Sequence, residues 1–173
     1  MTLPADVRLR RATPADAEAG ARLHATCWEE GYRGLIADEH LDRVLARHPQ
    51  RVALWERLVE QGVHLAVRRD AATEALLGFA VAGPARDDDA PTARELGAIY
   101  VRRDAWGTGV ADALLAAALG DEPACLWVLA DNPRAHRFYA RHGFVPDGTS
   151  THDASIDALE VRLVRRRDEQ PVA

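Results

Sequence analysis

The sequence predicts an α/β (α+β) fold of about six or seven strands flanked by about four helices, on three observations. The apolar period changes at His64, from helical spacing before it to short apolar runs bounded by turn residues after it. Between Glu95 and Gly120 a strand, a glycine turn and an alanine- and leucine-rich helix follow one another. The same strand-to-helix order recurs between Ala124 and Gly143.

Each element carries its own signal. Val7 to Arg11 alternates as a short strand does, and Thr13, Pro14 and Asp16 then supply a capping hydroxyl, a proline at the first helical position and an early acid. That helix is expected to run to about Cys27, with WEEGYRGLI, two glycines among aromatics, as a loop. Two further helices are expected, Asp38 to about Arg47 and Pro49 to about Gln61. The second shows Val52, Trp55, Leu58 and Val59 at helical spacing, and Gly62 stops it. HLAVR and ALLGFAVAG read as buried strands, ARDDDAPTA as a turn whose Asp87, Asp88 and Asp89 are solvated, and Glu95 to Val101 as a further strand. GTGVADALLAAALG is a helix ending at Gly120, and ACLWVLA a strand. In NPRAHRFYARHG, Asn132 is the cap, Pro133 the first helical residue and Gly143 the residue past the end. FVPDG and ALEVRLV are two last strands, antiparallel neighbours, before a charged tail from Arg165. There is no internal repeat or low-complexity linker, so a single domain over 1–173 with its core at about 7–165 is expected.

The bulk properties remove several function classes. A chain of 173 residues with 47% hydrophobic and 28% charged side chains can bury a core without disulfides or a structural metal. A net charge of -5 argues against a nucleic-acid binder that works by neutralising phosphates, and leaves cationic partners open. Cys27 and Cys125 have neither the count nor the spacing of a disulfide framework, and the seven histidines show no metal-ligand spacing. No metal is expected, His24 and Cys27 read as a packed pair, and Cys125 as buried and inert. With no leader-like start and no apolar run long enough to span a bilayer, a soluble protein of the reducing cytoplasm is expected, with no membrane partner.

The segment Trp106-Gly107-Thr108-Gly109-Val110-Ala111 lies where a strand hands over to a helix. Unpaired backbone N–H groups and the helix dipole favour anionic phosphate at such a place, provided small residues let the phosphate approach. A P-loop is excluded, because Val110 and Ala111 stand where its lysine and hydroxyl residue belong. A dinucleotide fingerprint fits poorly: Gly107 and Gly109 match its first two glycines, but Asp112 occupies the third and RRDAW separates Val101 from the turn. A plain flexible connection is the other reading of the turn.

ELGAIYVRRDAWGTGVADALL, followed after one strand by LADNPRAHRFYARHGF, resembles the paired cofactor motifs of the GNAT acetyltransferases. The first motif maps to Trp106, Gly109 and Ala111, and the second to Asn132, Ala135, Phe138, Tyr139, Gly143 and Phe144. RRATPADAEAGARLHATCW and YRGLI are similar to the N-terminal half of that family, so the resemblance covers about residues 7 to 165. Trp106 departs from the pattern, standing where relatives carry arginine or glutamine. Arg102 and Arg103 are read either as neighbours of a CoA phosphate or as solvated loop charges.

The resemblance implies a mixed central sheet splayed at its middle strands, acetyl-CoA as co-substrate, and transfer of an acetyl group to a primary amine by direct attack in a ternary complex. It implies that backbone groups of Ile99, Tyr100 and Val101 take the pantetheine arm, and that the amides from Gly107 to Asp112, with Thr108 and Val110 among them, hold the pyrophosphate. Asn132, Ala135 and Tyr139 fall near one face of their helix, so the Tyr139 phenol is free to point at the cofactor. By resemblance it donates a proton to the departing thiolate; simple packing is its other reading. Asn132 serves first as a cap, and Phe138 beside it turns to the core.

An alkyl amine of pKa near 10.4 loses its proton at neutral pH at a cost of roughly 4 to 5 kcal/mol, so a base is useful. Glu95 matches a glutamate that many relatives use for this, or is a strand-end surface residue. Trp28 and Tyr32 sit where relatives build the acceptor pocket, with core packing the other reading of Trp28. The acceptor is a small-molecule amine or a protein amino group, and a homodimer stays open. Two rival readings remain: an acyl-CoA-binding module without turnover, and a nucleotide-dependent enzyme using the same turn.

Overall fold

The computed structural model describes residues 3–69 and 74–166. In chain order its elements are β1 (Val7–Arg11), α1 (Ala17–Tyr32), α2 (Asp38–Leu45), α3 (His48–Gln61), β2 (His64–Arg69), β3 (Glu74–Pro84), β4 (Arg94–Val101), α4 (Val110–Leu119), β5 (Ala124–Leu129), α5 (Pro133–Arg141), β6 (Val145–Asp153) and β7 (Ala158–Arg165). The strands form one seven-stranded sheet in the order β1-β2-β3-β4-β5-β7-β6. Neighbours are antiparallel except β4 and β5, so the sheet is mixed.

Local chemistry explains the boundaries. The Asp16 carboxylate accepts from the Thr13 backbone N–H at 2.7 Å, and the Arg10 guanidinium clamps it from the strand side at 2.7 and 2.8 Å. α3 ends at Gly62, whose φ of 91° only glycine adopts without strain. Asn132 caps α5 by accepting from the Ala135 N–H at 3.1 Å.

Three boundaries differ from expectation. α1 begins at Ala17, because Pro14–Asp16 form a separate 3-10 turn ahead of it. α1 runs on through Gly31 to Tyr32, so WEEGY is helix and Trp28 and Tyr32 belong to its last turns. Trp28 and Tyr32 continue the apolar face of α1 against Ile36 and Leu41, and the Glu29–Arg33 pair closes the end with contacts of 2.9 and 2.6 Å. That packing outweighs the helix-weakening effect of one glycine. β6 extends past FVPDG to Asp153. It is an edge strand with mostly exposed side chains, so its polar THD segment gives no alternating signal.

The sheet is covered on both faces. α1 and α3 pack on one face against β2 and β3 through Ala21, Leu23, Trp55, Leu65, Val67 and Phe79. α2 and the end of α1 cover the same face further along, over Leu129 and Ala158. α4 and α5 cover the opposite face, where Leu115, Tyr139 and Phe144 pack on Leu96, Leu126, Val128 and Leu163.

The two middle strands part company. Val81 faces Ala98 while Ala82 faces Leu96, which leaves Gly97 as an extra residue that bulges β4 and turns it away from its other neighbour. The parallel β4–β5 ladder consequently holds only at Glu95 and Cys125. Towards Val101 and Leu129 the strands diverge, and a cleft opens between them.

Candidate active site

The cleft has a volume of about 580 Å³. Leu96 to Val101 of β4 form one wall and Trp127 to Leu129 of β5 the other. Trp106, Gly107, Gly109, Ala111 and Asp112 line one end together with Arg134, Arg137 and Arg141 from α5, and Arg86, Asp153 and Glu160 also border the cleft.

At the basic end the glycines do what only glycines can. Gly107 and Gly109 have φ of 75° and 89°, and Gly109 caps α4 with no side-chain bond to its first amides. Those amides lack intrahelical partners and are free to bind an anion. The Thr108 and Val110 side chains do not line the cleft, because the Thr108 hydroxyl donates to the Ala105 carbonyl at 2.7 Å and Val110 is fully buried in the core. Trp106 spends its indole N–H on the Val101 carbonyl at 2.8 Å, and the Arg134 guanidinium lies 3.4 Å from its ring centroid. Arg102 and Arg103 are bound to α1: the Arg102 side chain donates to the Glu30 carboxylate at 3.1 Å, and Arg103 to the Glu30 carbonyl at 2.7 Å.

Tyr139 lines the cleft from α5. Burial pushes its phenol above the ordinary tyrosine value, and Tyr32 adds to the shift, so the group keeps its proton at neutral pH. Asn132, Ala135 and Phe138 line the same stretch. Phe138 both touches the core and faces the cleft, its ring 5.3 Å from that of Tyr139.

Glu95 is 2% exposed, and the cleft lining does not include it. Its Oε1 accepts from the Arg86 side chain at 2.8 and 2.6 Å, and its Oε2 from the Arg86 backbone N–H at 3.0 Å. Tyr32 lines the cleft, with its hydroxyl 3.2 Å from that of Tyr100. Trp28 instead packs beneath it at a ring separation of 5.0 Å. The aspartate turn is not simply solvated, since Asp87 accepts from the Trp127 indole at 2.9 Å and Asp89 from Arg162 at 2.9 Å.

Arg86, Trp127, Arg134, Asp153 and Glu160 are cleft residues that the sequence reading did not single out. One signal was available: in ALEVRLV, Glu160 and Arg162 alternate with Leu159, Val161 and Leu163, which places two charges on one sheet face.

Behind the cleft His24 is buried among Phe79, Tyr100 and Trp28 at ring separations of 5.1, 4.9 and 6.0 Å, and its Nδ1 has no hydrogen-bond partner among the described residues. Burial pushes its imidazole down to about 3, with Arg51 a second cause. Below pH 6.5 the unfolded chain therefore takes up a proton that the native state refuses, and stability is lost as pH falls from about 6.5 towards 3. His24→Phe is expected to flatten the fall of the thermal midpoint between pH 7.5 and 5; an unchanged slope would contradict this linkage.

Among the described residues no group of three or more His, Cys, Asp or Glu is placed to hold a metal ion, and no helix is long and apolar enough to cross a membrane. Several known proteins share this architecture. The chain is 26% identical over 155 residues to the probable N-acetyltransferase Rv2775 of Mycobacterium tuberculosis, spanning 84% of this chain and 83% of the relative. The crystal structure of the PaiA N-acetyltransferase of Thermoplasma acidophilum in complex with coenzyme A superposes with a TM-score of 0.69 at 16% identity, over 93% of this chain and 99% of that one. yncA of Salmonella typhimurium, solved with its cofactor acetyl-CoA, gives a TM-score of 0.64 at 17% identity over 96% of both chains. The family model of the acetyltransferase (GNAT) family matches residues 20–144, which takes in both splayed strands, the glycine turn and Tyr139. The chain belongs to the acetyltransferase (GNAT) family.

Proposed function

We propose that this protein transfers an acetyl group from acetyl-CoA to a primary amine, on a small molecule or a protein, by direct attack within one ternary complex. One observation carries the reading: a bulged and splayed strand pair opens a cleft bordered by both the bare N-terminus of α4 and the protonated Tyr139 phenol.

Acetyl-CoA supplies the activated thioester when bound. The amides from Gly107 to Asp112 suit its pyrophosphate, because both glycines take positive φ and no side chain caps them. Arg134, Arg137 and Arg141 add positive charge along that end. The parted edge of β4 offers backbone groups of Ile99, Tyr100 and Val101 to the pantetheine arm in place of a sheet partner. Tyr139 then gives its proton to the sulfur as the thiolate departs. Tyr32 borders the space left for the amine.

Covalent transfer through cysteine is disfavoured. Burial pushes the Cys27 thiol up to about 12 and raises that of Cys125, so neither is a thiolate at neutral pH. Two free buried cysteines also suit a reducing cytoplasm. Initial rates of thiol release, with acetyl-CoA and amine varied together, are expected to give intersecting reciprocal plots. Parallel lines would mean an acyl-enzyme and refute direct attack.

A further inference from the structure

Direct attack needs the amine as a free base, and the arrangement above leaves its proton without a taker. Glu95 is occupied on both oxygens by Arg86 and does not border the cleft.

We propose that Glu160 of β7 is the base that takes the proton from the acceptor ammonium, an assignment that rests on the transfer reading given above. Glu160 is half-buried and lines the cleft. In register it stands beside Leu129, the last residue of β5, and opposite Thr151 of β6. Leu129 and Ala158 share its sheet face, the one covered by α2 and the end of α1. Tyr139 packs on the other face, over Val128, Val161 and Leu163. Acid and base thus reach the cleft from opposite faces of the sheet at the point where it splits, so the acceptor and the thioester meet there from opposite sides.

The carboxylate is also free to act. Among the described residues no side chain or backbone N–H donates to it, in contrast to Glu95, and Asp153 and Arg86 border the same space. Burial raises its pKa above the usual carboxylate range, Asp153 on β6 and Glu95 on β4 push the same way, and Arg86 opposes them. Tyr32 of α1 faces the same region, while Arg162 on β7 is engaged by Asp147 and Asp89.

In the step, Glu160 accepts one proton from R–NH3+ and later releases it to solvent. The nitrogen lone pair forms the C–N bond, the C–S bond breaks, and the thiolate takes the Tyr139 proton. The second nitrogen proton restores the phenol, so the products are the N-acetyl amine, the CoA thiol and one proton.

The test measures thiol release from acetyl-CoA with 1,4-diaminobutane, 2-phenylethylamine and a tetrapeptide with a free N-terminus, using whichever the wild type turns over best. Glu160→Gln is expected to lower kcat/KM at pH 7 by about a hundredfold to ten-thousandfold while the Kd for CoA stays within about twofold. The deficit is expected to shrink as pH rises towards the amine pKa, a rescue that a merely structural role would not give. Unchanged kcat/KM and an unchanged profile in the variant overturn the assignment. Should the variant fail to fold, the wild-type kcat/KM profile with two acceptors of different pKa decides: an acid limb above the ordinary glutamate value of about 4.3 that stays in place when the acceptor is changed supports Glu160, and a limb that moves with the acceptor's own pKa overturns it. CoA binding with no amine-dependent thiol release from the wild type overturns both the base and the transfer reading. Absent CoA binding removes the transfer reading at its root.

Discussion

Replacing Tyr139 with phenylalanine is expected to lower kcat by about a hundredfold or more and to leave the Kd for CoA and the thermal midpoint nearly unchanged. The phenol is buried, lines the cleft and, among the described residues, gives its hydroxyl to no protein partner. Phenylalanine therefore keeps the ring contacts with Phe138 and Phe144 and strands no buried partner. Only the proton is lost. A thiolate leaving without it carries full charge beside the apolar cluster that packs around Tyr139, where charge is poorly solvated. Because burial holds the phenol above its ordinary value, its ionisation is also expected to leave the wild-type rate untouched below about pH 10. Full turnover by the phenylalanine variant with a verified acceptor would remove the acid role.

Gly109→Val is the second large effect. Its φ of 89° lies in the left-handed region, where an L side chain costs about 1–2 kcal/mol and a β-branched one more. Relaxing that strain disturbs the first turn of α4, whose uncapped amides are the proposed pyrophosphate site. A rise of at least tenfold in the Kd for CoA is expected, together with a lower thermal midpoint. Wild-type CoA affinity in a folded Gly109→Val protein would show that these amides do not hold the pyrophosphate.

How much of this was legible depended on how local the cause was. The stop at Gly62 and the Asn132–Pro133 start are written in adjacent residues, and each stands where the sequence places it, whereas Thr13 to Asp16 form a separate 3-10 turn ahead of α1 in which the Thr13 hydroxyl donates to Asp16. α1 overran its expected end because Trp28 and Tyr32 are held by Ile36 and Leu41, contacts that no window around Gly31 reveals. The glycine turn and Tyr139 were readable as cleft-lining residues because the family motifs place particular residues at particular spacings. Glu95 and Glu160 were not separable in the same way. Both are strand glutamates, and what distinguishes them is Arg86, bound to one and merely near the other across a seven-stranded sheet. Trp106 is intermediate: its departure from the family pattern was visible, but not that its indole would close on the Val101 carbonyl and stack with Arg134.

The most direct measurement is calorimetric titration of the purified protein with CoA. Saturable binding of one CoA per chain, weakened at least tenfold in Gly109→Val and retained in Tyr139→Phe, is the expected result. No heat of binding with CoA or acetyl-CoA, from a protein whose thermal unfolding shows it to be folded, would contradict the claim that this cleft is built to seat the thioester.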